Sequence, residues 1–516
     1  MHSWLGRGKG LQIGITCCCL VAFVLFGYDQ GVFGGILQNE DWLNQFNHPS
    51  DSETGIIVSC YNLGCLSGCI ITFLIGEKLG RRKSIWLGMI LVIIGAILQT
   101  TAFTVAHLVI GRVVTGLGTG LKTSTVPMYQ SELCDRNARG RLVSAEVLFV
   151  GVGITIAYWF DFGMSFVGGP IAWRLPIAFQ MVFAIGVIFL VFALPESPRW
   201  LFAQGREQEA MDVLCRVYDL EPTDKYIMEE RNAILAAIEM ESQSTKNKSF
   251  WSIFKNDEVK TGYRVLLAWG IQFMNQAGGI NLVVYYIPSV LVQNVGMTPH
   301  LAQILGGCIN MMFMFGSIIP TFFLDRMGRR KTMMWGCSGL SICMLLVSAL
   351  LSQAESNDAR GKSFGSAAVA FFFIYMFVFG GSVNCVPWVY VPEVLPLEAR
   401  TRGTAIGVSS NWLWNFTVVM ITPVIINRLQ WKAYFVFMAT NAVFVPLIYF
   451  FYPETSNVRL EDVDSFFTSN RNAVAVAREF TKTMKAGTVV DAEAPSAVGG
   501  SDSEKAKIDT LERREG

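Results

Sequence analysis

Apolar stretches of about 20 residues alternate with short polar segments along most of the chain. Six of these stretches come first, near residues 11–36, 54–75, 84–103, 107–130, 142–162 and 174–194. Six more follow a polar interval, near residues 263–292, 300–324, 332–353, 366–391, 403–426 and 432–451. Each is long enough as a helix to cross a hydrocarbon core of roughly 30 Å. The pattern predicts an all-α integral membrane protein with twelve transmembrane helices.

The polar interval divides the chain into two bundles of six helices. Its Glu- and Ala-rich stretches are typical of short amphipathic helices, and the end of the chain has almost no large apolar residues. We therefore expect five segments: an N-terminus at 1–10, a first bundle at 11–202, a linker with short helices at 203–262, a second bundle at 263–467 and a disordered tail at 468–516.

Three charged features occur once in each half. They are a Gly-Arg-Arg-Lys motif, a glutamate seven residues before an arginine, and a Pro-Glu pair that ends the bundle. Pseudo-symmetric halves of this kind are typical of secondary transporters. Membrane topology explains the basic residues but not the repeated acids. We predict an ion-pair network that latches the two halves on the cytosolic side, formed by Arg81, Arg82, Glu132, Arg139, Glu196, Arg199, Asp325, Arg329, Arg330, Glu393, Arg400 and Glu454.

Charge and composition narrow the class further. The chain is 52% hydrophobic and 16% charged, which is too apolar for a soluble globular protein. The loop between spans two and three is rich in Lys and Arg, whereas the loop between spans one and two has none, so both termini and the linker are expected in the cytosol. The sequence contains no metal-ligand cluster, nucleophile motif or phosphate loop. We expect no metal, no cofactor, no nucleic-acid partner and no enzymatic activity.

Asp29 lies deep in the first predicted span. A carboxylate at this depth is costly unless it is paired, hydrated or protonated, and it is therefore a candidate functional group. Counting residues from the outer ends of their spans places Asp29 and Arg112 at the same depth, which permits a salt bridge. We predict that Asp29 takes a proton from outside, which neutralises it and frees Arg112. The alternative is a purely structural buried pair.

Amide and phenol side chains are concentrated in the second half. Span seven carries several of them around the pair Gly278-Gly279, which loosens the helix. An amide offers a donor and an acceptor without charge, which suits a ligand with many hydroxyl groups. The predicted substrate-binding residues are Gln272, Asn275, Gln276, Asn281, Tyr285, Tyr286, Asn310, Asn384, Trp388, Asn411 and Asn415. The alternatives are hydrogen bonds between helices for the amides and a core position for Trp388.

Eight short motifs occur in order across both halves: Gly27-Tyr28-Asp29, Gly111-Arg112, Pro195 to Trp200, Gly279-Ile280-Asn281, Tyr285-Tyr286, Asp325 to Arg330, Pro387-Trp388 and Pro453-Glu454-Thr455. Together they resemble the sugar porter family of the major facilitator superfamily, and in particular its fungal sugar and polyol proton symporters. The resemblance implies two six-helix bundles around a midplane site, alternating access and sugar uptake across the plasma membrane. It also implies that Asp29 and Arg112 are the proton-coupling pair, and that sugar contacts fall on Gln276, Asn281, Tyr286, Asn310, Trp388 and Asn411.

The sequence departs from the family pattern at three places. Asn275 is shorter by one methylene than the first amide of the usual Gln-Gln pair, and Ile154 replaces a glutamine that contacts sugar in hexose porters. A Gly-Pro-containing run of span ten is also replaced, here by Gly381 to Val386. Each lost partner of a buried hydroxyl costs about 1 to 3 kcal/mol. Pentoses, polyols, glycerol and acidic sugars therefore stay open as ligands.

These observations lead to one expected function and two alternatives. We expect a secondary active transporter that imports a sugar or polyol with a proton by alternating access, as a monomer in the lipid bilayer of the plasma membrane. A facilitative uniporter would lack the proton coupling. A nutrient sensor would have the same scaffold, although such proteins usually carry a longer cytosolic tail than this chain has.

Overall fold

The computed structural model describes residues 6–134, 139–247, 253–354, 359–396, 399–456, 458, 462–468 and 471–482. Helices make up nearly all of this part of the chain. In the first half they are α1 (Lys9–Ile36), α2 (Glu40–Gln45), α3 (Asp51–Leu79), α4 (Arg81–Thr100), α5 (Val105–Leu133), α6 (Arg139–Met164) and α7 (Ile171–Ala193). In the linker they are α8 (Pro198–Ala203), α9 (Glu207–Tyr218) and α10 (Lys225–Asn247).

The second half repeats this arrangement with two of its spans broken. Its helices are α11 (Thr261–Ala277), α12 (Ile280–Gln293), α13 (Pro299–Met327), α14 (Arg329–Ala354), α15 (Ala359–Gly381), α16 (Val386–Val394), α17 (Arg400–Leu429), α18 (Ala433–Phe451) and α19 (Asp462–Thr468). Helices α11 with α12 and α15 with α16 each form one span. The twelve predicted spans therefore coincide with helices, and the all-α fold class is confirmed.

Nine segments among the described residues are long and apolar enough to cross a membrane by length and hydropathy alone. Helix α5 is not one of these segments, and it carries Arg112 and Lys122 within its length. Its 29 residues are nonetheless enough to span a hydrocarbon core. Arg112 and Lys122 lower the mean hydropathy of α5, and both lie in the charged site described below.

Glycine contacts bring the helices of the first half close together. A Cβ atom on Gly116 of α5 would lie 2.2 Å from the carbonyl oxygen of Tyr61 in α3. A Cβ atom on Gly27 of α1 would lie 1.9 Å from the carbonyl oxygen of Val150 in α6. Small residues at helix interfaces are the usual route to close packing in membranes. These close contacts fix the position of α1 against α6 and of α3 against α5.

The break between α11 and α12 falls at the predicted glycine pair. Gly279 has a φ of +96°, and a Cβ atom there would lie 2.6 Å from the ring of Phe437. The carbonyl oxygen of Gly278, which the break frees, accepts hydrogen bonds from Tyr375 Oη (3.0 Å) and Asn441 Nδ2 (2.9 Å). Broken helices survive in a membrane where neighbouring side chains satisfy the freed backbone groups.

The linker and the end of the chain pack against the bundles. Gln12 at the start of α1 donates to the carbonyl of Val217 in α9 (3.0 Å), and Arg264 in α11 pairs with Asp464 in α19 (2.7 Å). Of the predicted disordered tail, residues 473–482 are helical and Ala477 is 1% exposed. Residues 483–516 lie outside the described residues.

Candidate substrate cavity and charged core

A cavity of about 50 Å³ lies between the two halves. Helices α1 and α6 line it from the first half, and helices α11 to α13 and α15 to α17 line it from the second. Seven of the eleven predicted substrate-binding residues lie on its wall: Asn275, Gln276, Asn281, Asn384, Trp388, Asn411 and Asn415.

The amides of the second half form one connected network. Gln276 donates from Nε2 to Oδ1 of Asn275 (2.7 Å) and to Oδ1 of Asn411, and it accepts from Nδ2 of Asn281 (2.6 Å). Asn275 donates in turn to the carbonyl of Val383 (2.9 Å), in the break between α15 and α16. The network fixes the orientation of each amide, and a ligand in the cavity would meet its remaining donors and acceptors.

The other four predicted residues lie outside the cavity wall. Tyr286 donates to the carbonyl of Val419 (3.1 Å), and Asn310 donates to the carbonyl of Gly306 (2.9 Å). Gln272 is fully buried, and its two amide atoms have no hydrogen-bond partner within the described chain. The hydroxyl of Tyr285 is also buried and without a partner in that part of the chain, and it faces the charged core described below.

Several residues on the wall were not predicted. Gln30 adds an amide from the first half, and Phe26 packs edge to face against Trp412 of the second half, with ring centroids 5.6 Å apart. Ile154 also lines the cavity, so the position that carries a glutamine in hexose porters is apolar here. The wall is therefore polar on the side of the second half and largely apolar on the side of the first.

The halves touch at both ends of the cavity. At the outer end, where α1 terminates, Gln38 donates to Ser289 Oγ (2.7 Å) and Tyr158 donates to the carbonyl of Val284 (2.6 Å). At the inner end, where α1 begins, Thr321 Oγ1 donates to the carbonyl of Ser144 (3.4 Å). Side chains of the two halves therefore contact each other on both sides of the cavity.

Asp29 is fully buried in the first half and forms an ion pair with Lys122 of α5, at 3.7 Å. Its Oδ2 also accepts hydrogen bonds from Tyr61 Oη (3.3 Å) and Thr119 Oγ1 (3.2 Å). Its Oδ1 and the Lys122 ammonium have no hydrogen-bond partner in the described part of the chain. Lys122 was missed in the sequence, where it follows the glycine-rich run of α5.

The predicted salt bridge between Asp29 and Arg112 is wrong as a direct contact. Arg112 donates instead to the carbonyls of Ile57 (3.4 Å) and Val58 (3.0 Å) of α3. Its guanidinium lies over the rings of Phe33 and Tyr61, 4.3 and 4.6 Å from their centroids. Residue counting places Thr119 and Lys122 about two to three turns further along α5, and these are the α5 residues that Asp29 meets. Arg112 acts on Asp29 only through its charge.

Two further carboxyl groups are buried in α6 and were also missed. Glu146 is 1% exposed and lies toward the inner end, near Cys19 of α1. Asp161 is 6% exposed and lies toward the outer end, against Gly35 of α1. None of their side-chain oxygens has a hydrogen-bond partner from another described side chain. A hydropathy profile does not reveal them because they are two isolated acids in a helix that is otherwise mostly apolar.

At the inner end the same ion pair occurs in each half. Arg81 of α4 binds Glu132 of α5 through two hydrogen bonds, of 3.0 and 2.9 Å. Arg329 of α14 binds Glu393 of α16 in the same way, at 3.1 and 2.8 Å. The predicted acids and arginines therefore do meet. Both of these pairs, however, join helices of one half and do not cross between the halves as the latch hypothesis required.

A second glutamate in each half caps the start of a helix. Glu196 accepts the backbone N–H groups of Arg81 (3.0 Å) and Arg82 (3.2 Å) at the start of α4. Glu454 accepts those of Arg329 (2.7 Å) and Arg330 (3.2 Å) at the start of α14. Carboxylates are favourable at helix N-termini. Burial raises the pKa of Glu196 above its ordinary value, although the backbone N–H groups that it accepts lower it.

The remaining predicted members of the network lie nearby. Asp325 pairs with Arg329 at 2.7 Å. Arg82 and Arg330 each donate to a carbonyl at the end of the last span of their own half, on Phe192 (3.2 Å) and Tyr449 (2.6 Å). Arg199 lies in α8, and Arg400 begins α17. The side chain of Arg139 is outside the described part of the structure.

Known proteins resemble this chain over most of its length. A family model described as "Sugar (and other) transporter" matches residues 15–467. The "MFS-type transporter oryC" of Aspergillus oryzae is 39% identical over 466 residues, which cover 90% of this chain and 86% of that protein. The "Sugar transporter STL1" of Saccharomyces cerevisiae is 34% identical over 90% of this chain and 82% of its own length. A "Quinate permease" of Neurospora terricola is 34% identical over 90% and 91%.

Solved structures show the same fold. The proton:xylose symporter XylE bound to 6-bromo-6-deoxy-D-glucose superposes with a TM-score of 0.74, at 22% identity, over 89% of this chain and all of that chain. A partially occluded inward-open structure of the xylose transporter XylE from E. coli gives a TM-score of 0.71 over 87% of this chain. At this level of identity the likeness concerns the arrangement of helices.

Proposed function

This chain belongs to the sugar transporter family of the major facilitator superfamily, and we therefore propose that it imports a sugar or polyol together with a proton by alternating access. The observation that carries the proposal is that the two halves contain different kinds of polar group. A neutral amide network lines the cavity from the second half, and a buried charged cluster around Asp29 lies in the first half.

The cavity wall supports a neutral, polyhydroxylated substrate. Every polar residue that lines it is an amide apart from the indole N–H groups of Trp388 and Trp412. Amides exchange hydrogen bonds with hydroxyl groups without requiring a charge on the ligand. The indole faces of the two tryptophans suit the apolar side of a sugar ring. The apolar wall at Ile154 favours a ligand with fewer hydroxyl groups than glucose, because a hydroxyl there would be buried without a partner.

The cluster around Asp29 supports proton coupling. An ionisable group in the middle of a membrane bundle marks a proton or ion pathway in many transporters. A proton that binds or leaves near Asp29 changes the net charge of this buried cluster, so the two protonation states differ in their preference for hydrated and dry conformations. A ligand shifts a conformational equilibrium only through such differential affinity. XylE, which has the same fold, is a proton:xylose symporter, and this is consistent with the proposed role.

The orientation in the membrane follows from the distribution of charge. The inner end carries the repeated Gly-Arg-Arg-Lys motifs, so we place it, both termini and the linker in the cytosol and the protein in the plasma membrane. One chain contributes the whole wall of the cavity, which supports function as a monomer. The duplicated ion pairs would then fix the shape of each inner half while the halves rock.

The test is uptake by the purified full chain in proteoliposomes. Radiolabelled D-glucose, D-xylose, glycerol, D-sorbitol and D-glucuronate are supplied one at a time, with and without an acidic outside. We expect at least one neutral probe to accumulate against its gradient under the acidic condition, and a protonophore to abolish the accumulation.

The other results separate the alternatives. Uptake that only equilibrates and ignores the pH gradient would identify a facilitative uniporter and reject the coupling. No uptake of any probe by a protein that binds one of them would favour a sensor. Transport of D-glucuronate in preference to the neutral probes would contradict the neutral-ligand proposal.

A further inference from the structure

The charged cluster of the first half holds more positive than negative charge. Lys122 is 1% exposed and Arg112 is 0% exposed, and both act on the single carboxylate of Asp29. Counted with ordinary charges, the cluster is one positive charge in excess. The energetic cost of an unbalanced charge in a dry interior is high. The protonation states of the cluster therefore differ strongly in energy.

The groups that surround the Asp29–Lys122 pair come from four helices. Asp29 comes from α1, and Tyr61 and Cys65 come from α3. Arg112 shares α5 with Lys122, and Tyr285 of α12 approaches from the other half. Among these described neighbours Asp29 is the one carboxylate. The phenols and the thiol are neutral under ordinary conditions, so they leave the excess charge in place.

Adding a proton increases the excess positive charge of this cluster, and removing one cancels it. Protonation of Asp29 would leave Arg112 and Lys122 as two buried cations without an anion. Loss of a proton from Lys122 would leave the carboxylate of Asp29 balanced by Arg112, with no net charge. Arg112 is unable to release a proton in a protein. The lowest-cost pair of states therefore differs by a proton on Lys122.

We propose that Lys122 is the side chain that binds and releases the transported proton, while Asp29 stays ionised and holds it in place. In the loaded state the Lys122 ammonium pairs with Asp29, as in the structure. On release, one N–H bond of the ammonium breaks, the proton passes to water at the open side, and the electron pair stays on Nζ. Reprotonation from the other side restores the ion pair. This inference rests on the proposed proton coupling and names the atom that binds the proton, which is Nζ of Lys122.

The two buried cations, Lys122 and Arg112, differ in how many contacts hold them. The Lys122 ammonium lies 3.7 Å from Asp29 and donates no hydrogen bond to any described residue. Arg112, in contrast, donates to two backbone carbonyls and is sandwiched between two rings. Arg112 is therefore held by several contacts, whereas the Lys122 ammonium is held by a single charge interaction. Lys122 can lose its proton without breaking a hydrogen bond to a described residue.

The decisive variants are Lys122→Arg and Lys122→Met, measured in proteoliposomes with the same five radiolabelled probes. Arginine keeps the charge but does not release a proton, and methionine removes both. Two readouts are needed: exchange of labelled for unlabelled probe at equal pH, which requires no net proton movement, and proton influx that accompanies probe uptake. The matched control is Lys432→Arg, at an exposed lysine near the outer end.

If Lys122 carries the proton, Lys122→Met retains exchange and loses proton influx and pH-driven accumulation. Lys122→Arg loses the same two properties, and Lys432→Arg behaves as wild type. Proton-coupled accumulation by Lys122→Arg would overturn the proposal and leave Lys122 a fixed counter-ion. Should arginine prevent folding, retained proton influx in Lys122→Met would overturn it equally. If wild type itself shows no proton influx with any probe, the proposed coupling fails first, so the two failures are distinguishable.

Discussion

Asn275 donates its side-chain N–H to the backbone carbonyl of Val383 at 2.9 Å, so a side chain of one broken span satisfies the backbone freed by the break in another. The same residue accepts from Gln276 inside the amide network. A single asparagine therefore connects the wall of the cavity to the unwound segment between α15 and α16. Asn275, which is shorter than the glutamine of the family pattern, therefore has a structural role.

Replacement of Asn275 by leucine tests this connection. The carbonyl of Val383 would lose its partner in a buried site, and we expect a loss of about 1–3 kcal/mol in stability together with impaired uptake. Thermal unfolding of the protein in detergent, followed by tryptophan fluorescence, measures the first effect. The matched control is Asn415→Leu, because Asn415 lines the cavity and its Oδ1 has no partner among the described residues. Equal destabilisation by the two variants would contradict the special role of Asn275.

Replacement of Asp29 by asparagine leaves Lys122 and Arg112 without an anion. Breaking a buried ion pair by removing one partner costs roughly 3–5 kcal/mol, so the variant should unfold at a clearly lower temperature and lose accumulation. The double variant Asp29→Asn with Lys122→Met removes one cation as well, and we expect it to recover much of the stability. A double variant no more stable than Asp29→Asn would show that charge imbalance is not the cause.

Replacement of Glu146 by methionine should stabilise the protein. Its carboxyl group is buried without a hydrogen-bond partner within the described chain, and burial of an unsatisfied polar group costs about 1–3 kcal/mol in proteins. Methionine has a similar volume and no polar oxygen. The temperature of thermal unfolding in detergent should rise, with Glu146→Gln in between. A marked fall in stability for both variants would mean that the carboxyl makes a favourable contact.

Replacement of Gly328 by alanine should damage the inner end of the second half. Gly328 has a φ of +81°, and a Cβ atom there would lie 2.6 Å from Oε2 of Glu454, which caps α14. A backbone with this φ and a ψ of 146° costs about 1–3 kcal/mol for a residue with a side chain. Gly163→Ala is the control, because it has an ordinary φ and open space around its Cβ position. Unfolding temperatures that do not differ between the two variants would contradict this explanation.

Much of the fold could be predicted from the sequence because hydropathy and span length decide it. The break between α11 and α12 was signalled by Gly278-Gly279, which have weak helix propensity. The break between α15 and α16 was not predicted, although Gly380-Gly381 precede it and Pro387 follows it. There the unwinding is stabilised by tertiary contacts, such as the hydrogen bond from Asn275.

The amide wall was predictable in outline, and the charged core was not. Seven of the predicted residues line the cavity, and their concentration in one half is visible in the sequence. The partner of Asp29 was wrong because counting residues from span ends assumes straight helices of equal tilt. Lys122 and Glu146 escaped because isolated charged residues in mostly apolar helices give no periodic signal. The packed residues around Ala477 escaped because small apolar side chains barely change the local composition.

The ion pairs Arg81–Glu132 and Arg329–Glu393 each lie within one half of the molecule. Neither pair crosses between the halves, so neither has to dissociate for the halves to separate as rigid bodies. If the proposed rocking moves the halves as rigid bodies, the strength of these bonds cancels from its energetics, and salt that weakens them would soften each half without favouring either form. On that proposal the two pairs brace each half internally, and the balance between the two forms depends on the contacts that cross the cavity.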